Sequence, residues 1–157
     1  MIRLVPMTED EYREALERAV PRHAANSVRR GQWTEAASLA ASRRDYETFH
    51  PQGLHTPNRT FVKVINEDDG KRVGEAWYIT EEQGGKLRFW VDWIQIDPEY
   101  RRRGYATQAL EELAREAVRR GADQMGLYVF ADNPGAISLY TKLGFATLSL
   151  AMVRPLK

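Results

Sequence analysis

The chain has 157 residues, 43% of them hydrophobic and 29% charged, which suffices for one domain with a buried core and is too apolar for a disordered chain. Its 23 Lys and Arg against 22 acids leave a formal charge of +1, which argues against broad electrostatic binding to nucleic acid but leaves room for a local basic pocket. Without cysteine there is no disulfide, thiolate metal site or cysteine nucleophile. The opening MIRLVPMTEDEY lacks the apolar run of a signal peptide, and no stretch reads as a membrane span, so a soluble, cytoplasmic protein is expected.

Thr8-Glu9-Asp10-Glu11 forms a capping box, with Met7 and Tyr12 placed to staple it, and Tyr12, Ala15, Leu16 and Ala19 follow at helical spacing. Pro21 is expected to kink or end that helix, with HAANSVRR able to continue it. A second amphipathic helix is expected from Thr34 towards Phe49 on Ala36, Leu39, Ala40 and Tyr46, followed by the loop HPQGLHTPN. TFVKVI (60–65), the turn NEDDG and RVGEAWYI (72–79) read as a hairpin. Gly84-Gly85 turns into the long aromatic strand KLRFWVDWIQI (86–96), ended by Pro98. From Gly104 the period becomes helical through Ala106, Ala109, Leu110, Leu113, Ala117 and Val118, with Gly121 as the C-terminal stop. QMGLYVF (124–130) is expected as a short strand, AISLYTKLG (136–144) as a short helix, and FATLSLAMV (145–153) as a closing strand.

The order is therefore α-α-β-β-β-α-β-α-β, with no repeat or linker, which makes one mixed α/β domain. Strand 86–96, helix 104–120 and strand 124–130 form a right-handed crossover with parallel strands, while the three earlier strands are antiparallel. The crossover helix starts on RRRGYA, at the strand end where ligands of α/β folds bind. Three arginines at a helix N-terminus oppose its dipole unless an anion joins them or they are simply solvated. Neither G-x-x-x-x-G-K-[ST] nor G-x-G-x-x-G occurs, which speaks against a P-loop and a dinucleotide fold.

IQIDPEYRRRGYA resembles the acetyl-CoA signature of the GNAT N-acetyltransferase superfamily, a hydrophobic strand followed by Q/R-x-x-G-x-G/A, through Arg101, Gly104 and Ala106. Thirty residues on, NPGAISLYTKLGF resembles that family's second signature through Asn133, Ala136, Tyr140, Gly144 and Phe145. The resemblance covers about residues 60 to 150. It implies a single GNAT-like domain, 1–157, with antiparallel N-terminal strands, a splayed parallel pair and helices on both faces. Residues 1–59 would be the variable helical part that shapes the acceptor site, and 60–153 the cofactor-binding sheet core. Acetyl-CoA is the implied cofactor. Its pyrophosphate would lie on the amides of Arg102 to Thr107 (Arg103, Gly104, Tyr105 and Ala106 between them), with Arg101 or Arg102 giving side-chain contacts. Its pantetheine arm would pair near Ile94 and Ile96 and touch Asn133.

Direct transfer to an amine needs a neutral amine, a stabilised oxyanion and a protonated leaving thiolate. An alkylammonium has a pKa of roughly 10, so a base or water relay must first take a proton. The resemblance makes Tyr140 the leading general acid; a core tyrosine of a short helix is the plainer reading. Asp92 shares a face with Trp90, Ile94 and Ile96 by period two, and desolvation there would raise its pKa towards that of a base. Glu75 is the second candidate, and a base-free route through water stays open. His23, His50 and His55 have no metal-site spacing and read as loop or surface residues; His50 and His55 could also line a cleft. The tryptophans at 77, 90 and 93 read as sheet core. The expected activity is transfer of an acetyl group to a primary amine of a small molecule in a ternary complex, with no metal, nucleic acid or membrane partner and a homodimer left open. The alternative is a non-catalytic acyl-CoA-binding sensor.

Overall fold

A computed structural model describes all residues, 1–157, and its backbone is a five-stranded sheet in the order β1-β2-β3-β4-β5. The strands are β1 (Ile2–Pro6), β2 (Arg59–Asn66), β3 (Arg72–Gln83), β4 (Lys86–Ile96) and β5 (Met125–Leu127), and the helices are α1 (Glu9–Arg29), α2 (Glu35–Phe49), α3 (Tyr105–Arg119) and α4 (Pro134–Lys142). The first four strands are antiparallel neighbours and β4–β5 is parallel, as the β-α-β crossover requires. α1 packs on one face of the sheet, where Tyr12, Ala15 and Ala19 meet Phe61 and Trp77; α3 packs on the other, where Leu113 and Ala117 meet Phe89, Val91 and Tyr78.

The capping box closes as expected: the amide of Thr8 donates to Glu11 Oε2 (2.8 Å) and that of Glu11 to Thr8 Oγ1 (3.3 Å). α1 runs on through Pro21 rather than ending there. The lost backbone hydrogen bond is offset by the 21-residue span, which buries Tyr12, Ala15, Ala19, Ala24 and Ser27. α2 starts where expected but turns another face inward. Ser38 and Ser42 are buried while Ala36, Leu39 and Ala40 are not, because α2 meets α1 through small residues and Ser42 Oγ donates to the carbonyl of Val20 at 2.7 Å. Val118 on α3 is likewise exposed.

Three further expectations need correction. β1 has no counterpart in the sequence pattern, and it adds the first residues to the sheet edge beside β2, so 1–59 is not purely helical. β5 is three residues long rather than seven. FATLSLAMV carries no strand: nothing pairs with it, and Leu148, Leu150, Met152 and Val153 are exposed.

His50 is buried, not a surface histidine. Phe61 and Trp77 enclose it edge-on, Tyr12 Oη lies 3.0 Å from its Nδ1, and its Nε2 has no partner. Burial, helped by the Arg59 charge, lowers its pKa from 6.5 to about 4. The unfolded chain therefore takes up a proton at His50 that the folded chain refuses, and stability present above pH 6.5 is lost as the pH falls towards about 4. Glu11, Glu112 and Glu116, whose pKa values are lowered by basic partners, lose their contribution only below 4.5. The urea midpoint is thus expected to fall between pH 6.5 and 4.5, and His50→Gln, which keeps an acceptor for Tyr12, should flatten that limb.

Candidate acetyl-CoA and acceptor site

β4 pairs with β5 only through Phe89, Trp90 and Val91. One residue further, the β3–β4 ladder skips Asp92: Val91 faces Tyr78 and Trp93 faces Trp77. Such a bulge bends its strand and re-aims its side chains. The parallel pair therefore opens at Asp92, and β4 from Trp93 to Ile96 has no strand on its β5 side. Trp90 closes the narrow end of the opening, its ring lying across Gly126, where a Cβ would collide with it. The bulge also corrects the period-two reading. Ile94 packs on the α3 face with Val91, whereas Trp93 stacks on Trp77 on the α1 face, so Asp92 does not share a face with Ile94 and Ile96.

After β4 the chain makes a short helical turn, Pro98–Tyr100, and reaches Gly104, the N-cap of α3. Arg102 and Gly104 take left-handed conformations, φ +62° and +81°. No side chain caps this helix, and the six amides from Arg102 to Thr107 donate to no protein acceptor. A run of free N–H groups through left-handed residues is a nest for an anion, and the α3 dipole adds to it. Arg101 acts on the backbone instead: its Nε donates to the carbonyl of Ile96 (3.0 Å), latching the turn to the end of β4. Arg103 lies near the Tyr100 ring. The nest beside an open strand edge suits a pyrophosphate joined to an extended, amide-bearing arm. Arg119 and Arg120, at the far end of α3, are held by Glu112 and Glu116.

Glu75 is only 3% exposed. Its Oε2 accepts from Arg18 and from Arg72, each at 2.9 Å, and its Oε1 from the Trp93 indole at 3.2 Å. A second bulge, at Val73 where the β2–β3 register shifts, puts Arg72 on the same face as Glu75. Arg72 also pairs with Asp97 at 3.2 Å. Asp92 differs: its side chain is 34% exposed, Arg59 donates to Oδ2 at 2.8 Å, and Oδ1 has no partner. Its desolvation, expected from the sequence, does not occur. The arginines at 18, 59 and 72 carry no motif of their own; a Glu inside the apolar run RVGEAWYI is the only signal that a buried cation has to exist.

The structure does not bring every expected residue together. Asn133 caps α4, its Oδ1 accepting from the Ala136 amide at 3.2 Å. Tyr140 packs against Phe145, and burial raises its hydroxyl pKa, keeping it a donor. Yet α4 buries none of its residues and joins none of the three cores, so Tyr140 makes no contact with the β4 opening through these cores. His23 and His55 pair with Asp45 and Glu9, and no group of acids and histidines could hold a metal. No helix is long and apolar enough to cross a membrane.

Residues 22–145 match the model of the acetyltransferase (GNAT) family. The chain is 30% identical to the uncharacterized N-acetyltransferase YdgE of Bacillus subtilis over 98% of its length and 97% of the relative's. It is 32% identical to the uncharacterized N-acetyltransferase YycN of the same organism over 99% of both. The crystal structure of YycN superposes with a TM-score of 0.93 at 28% identity, covering 100% of this chain and 99% of that one. A shorter stretch, 33% of this chain, is 44% identical to the ribosomal protein bS18-alanine N-acetyltransferase of Escherichia coli, of which it covers 35%. With the nest, the open strand pair and the two-faced sheet in place, these matches show that the chain belongs to the GNAT acetyltransferase family.

Proposed function

We propose that the chain moves an acetyl group from acetyl-CoA to a primary amine of a small molecule, directly within a ternary complex. The observation that carries this reading is the run of six free amides, Arg102–Thr107, beside a parallel strand pair that opens at Asp92. Acetyl-CoA would supply an activated acetyl thioester and an anionic handle. The amides of Arg102, Arg103, Gly104, Tyr105, Ala106 and Thr107 would hold its pyrophosphate, Arg102 adding a charge and Arg101 fixing the turn. The free edge of β4 at Ile94 and Ile96 would align its arm, with Asn133 as a further contact. Residues 1–59 and the first strands would shape the acceptor side, where Tyr46, Trp77 and Trp93 form an aromatic wall.

Asp92 would receive the ammonium proton, directly or through water; the support is that one of its oxygens is free at the point where β4 leaves β5. Glu75, with both oxygens engaged, positions Trp93 and the arginines and does not abstract. Tyr140 is proposed as the donor for the leaving sulfur on its place in the second signature alone, since α4 does not pack against the opening; burial raises its pKa and keeps it protonated at neutral pH. Purified protein with acetyl-CoA and a panel of small primary amines should release free thiol, and Asp92→Asn should lower kcat by about 10²-fold while leaving acetyl-CoA affinity unchanged. Acetyl-CoA binding without thiol release for any amine would overturn the catalytic reading.

A further inference from the structure

Four arginines border the aromatic wall, and three of them are matched to carboxylates. Arg18 and Arg72 meet on Glu75 Oε2, Arg72 also reaches Asp97, and Arg59 holds Asp92 Oδ2. Arg22 has no carboxylate within salt-bridge reach; its guanidinium lies 5.9 Å from the centre of the Trp93 ring. It follows Arg18 by four residues on the same stripe of α1, so one helical turn steps from the cation on Glu75 to the cation at Trp93. The Trp93 ring itself is fixed. It stacks on Trp77 with centroids 5.5 Å apart and planes at 27°, and its indole N–H donates to Glu75 Oε1.

The residue before Trp93 is Asp92, whose Oδ1 is free. Both look towards α2. Trp93 lies on Trp77 and Trp77 lies against Tyr46, while the Asp92 charge reaches the Tyr46 hydroxyl, whose pKa is raised by burial first and then by Asp92, Asp45 and Glu75. That hydroxyl stays protonated and makes no hydrogen bond within the chain. The wall therefore presents two unpartnered oxygens, one of them charged, beside one unpartnered cation. The other acids there are engaged: Glu75 has both oxygens occupied, and Asp45 is held by His23 at 2.8 Å. A second ammonium group on the acceptor would thus meet Arg22, not a carboxylate.

We propose that the acceptor is an amine carrying a carboxylate a few bonds from its nitrogen, the ammonium lying between Asp92 Oδ1 and the Tyr46 hydroxyl and the carboxylate paired with Arg22 over Trp93. A guanidinium resting on a ring keeps the N–H groups of its edge free, and two of them match the two oxygens of a carboxylate. The proposal rests on the acetyl-transfer reading and narrows its acceptor. Amino acids and short ω-amino acids fit; diamines and larger polycations do not. Arg22 and Tyr46 exchange no proton, since the ammonium gives its own to Asp92 or to water, and they act by holding the two ends of the acceptor against the fixed Trp93 ring.

The test compares the native chain with Arg22→Gln and Arg22→Glu, and sets glycine, β-alanine and γ-aminobutyrate against the corresponding amides and 1,4-diaminobutane. Arg22 is exposed, so neither substitution disturbs the core. Thiol release reads turnover without background, because the chain has no cysteine, and tryptophan emission reads acceptor binding without acetyl-CoA. At least one acid is expected to be preferred over its amide by about ten-fold in kcat/KM, carried by KM. Arg22→Gln should bring that ratio to about one, and Arg22→Glu should place 1,4-diaminobutane first. Equal use of acid and amide by the native chain, or no binding of any acid, would overturn the proposal. So would a preference that survives in Arg22→Gln, or a native preference for the diamine. The two readings separate: acids that bind through Arg22 without thiol release keep this subsite and sink the transfer, while amides and diamines acetylated as well as acids do the reverse.

Discussion

Gly104→Asp is expected to abolish acetyl-CoA binding, from an affinity readable by calorimetry to none at millimolar ligand, while leaving the protein folded. Gly104 sits at φ +81°, and a side chain built there would meet only the Gln108 amide group, at 4.0 Å. Packing therefore does not forbid a substitution. The left-handed backbone costs an L-residue about 1–2 kcal/mol, and aspartate is among the residues that tolerate it best. What aspartate changes is the electrostatics: it sets a fixed negative charge amid the free amides of Arg102–Thr107, where it repels a pyrophosphate and competes for its donors.

Gly104→Ala separates strain from charge. Alanine lets the turn relax from the left-handed region, and restoring it on binding costs about 1–2 kcal/mol, roughly a ten-fold loss of affinity. Aspartate binding as tightly as the native residue would mean that the nest holds no phosphate, and RRRGYA would then be a basic loop with an unused helix end.

The elements legible in the sequence are those whose cause is local. The capping box at Thr8–Glu11, the Gly84-Gly85 turn and the switch of period at Gly104 each carry their reason within a few residues. β1 is invisible there because its reason lies elsewhere: Ile2–Pro6 is a strand only because Val62–Asn66, some sixty residues on, offers an edge. The span of α2 is legible but its inward face is not, since its contact with α1 is made by serines whose hydroxyls find backbone acceptors, and a hydrophobicity pattern does not register that. The alternation in β4 fails at one residue. The bulge at Asp92 passes the inward face from Val91 to Ile94, and no residue type announces it. At the candidate site the Gly104 turn is legible as a motif and the arginines around Glu75 and Asp92 are not, because ion pairs join residues from α1, β2, β3 and β4. The tail is the reverse case: its pattern reads as a strand, but a strand is a statement about a neighbour, and no strand of the sheet pairs with it.

Glu75→Gln is expected to lower stability by about 3–5 kcal/mol, read as a fall in the urea midpoint at unchanged slope. The carboxylate is buried beside Arg18, Arg72 and Trp93, and glutamine keeps its shape but offers one oxygen where two now accept three donors. The amide's NH₂ would face at least one guanidinium, leaving a donor against a donor in a site with little water. Arg72, 33% exposed and still held by Asp97, bears part of the loss; Arg18, 49% exposed, can turn outward and recover hydration. Arg18→Ala should therefore cost much less than Glu75→Gln. Asp92→Asn is the contrast. Its single pair with Arg59 lies where water reaches both partners, so about 1 kcal/mol or less of stability is at stake, while the transfer rate falls. The two carboxylates thus separate on two axes, Glu75 in the denaturation curve and Asp92 in kcat. If Asp92→Asn keeps full turnover and Glu75→Gln, still folded at low temperature, loses it together with the acidic limb of the kcat–pH profile, then the proton passes through Glu75. In that case Arg18 must swing aside to free an oxygen, and Arg18→Ala would shift that limb.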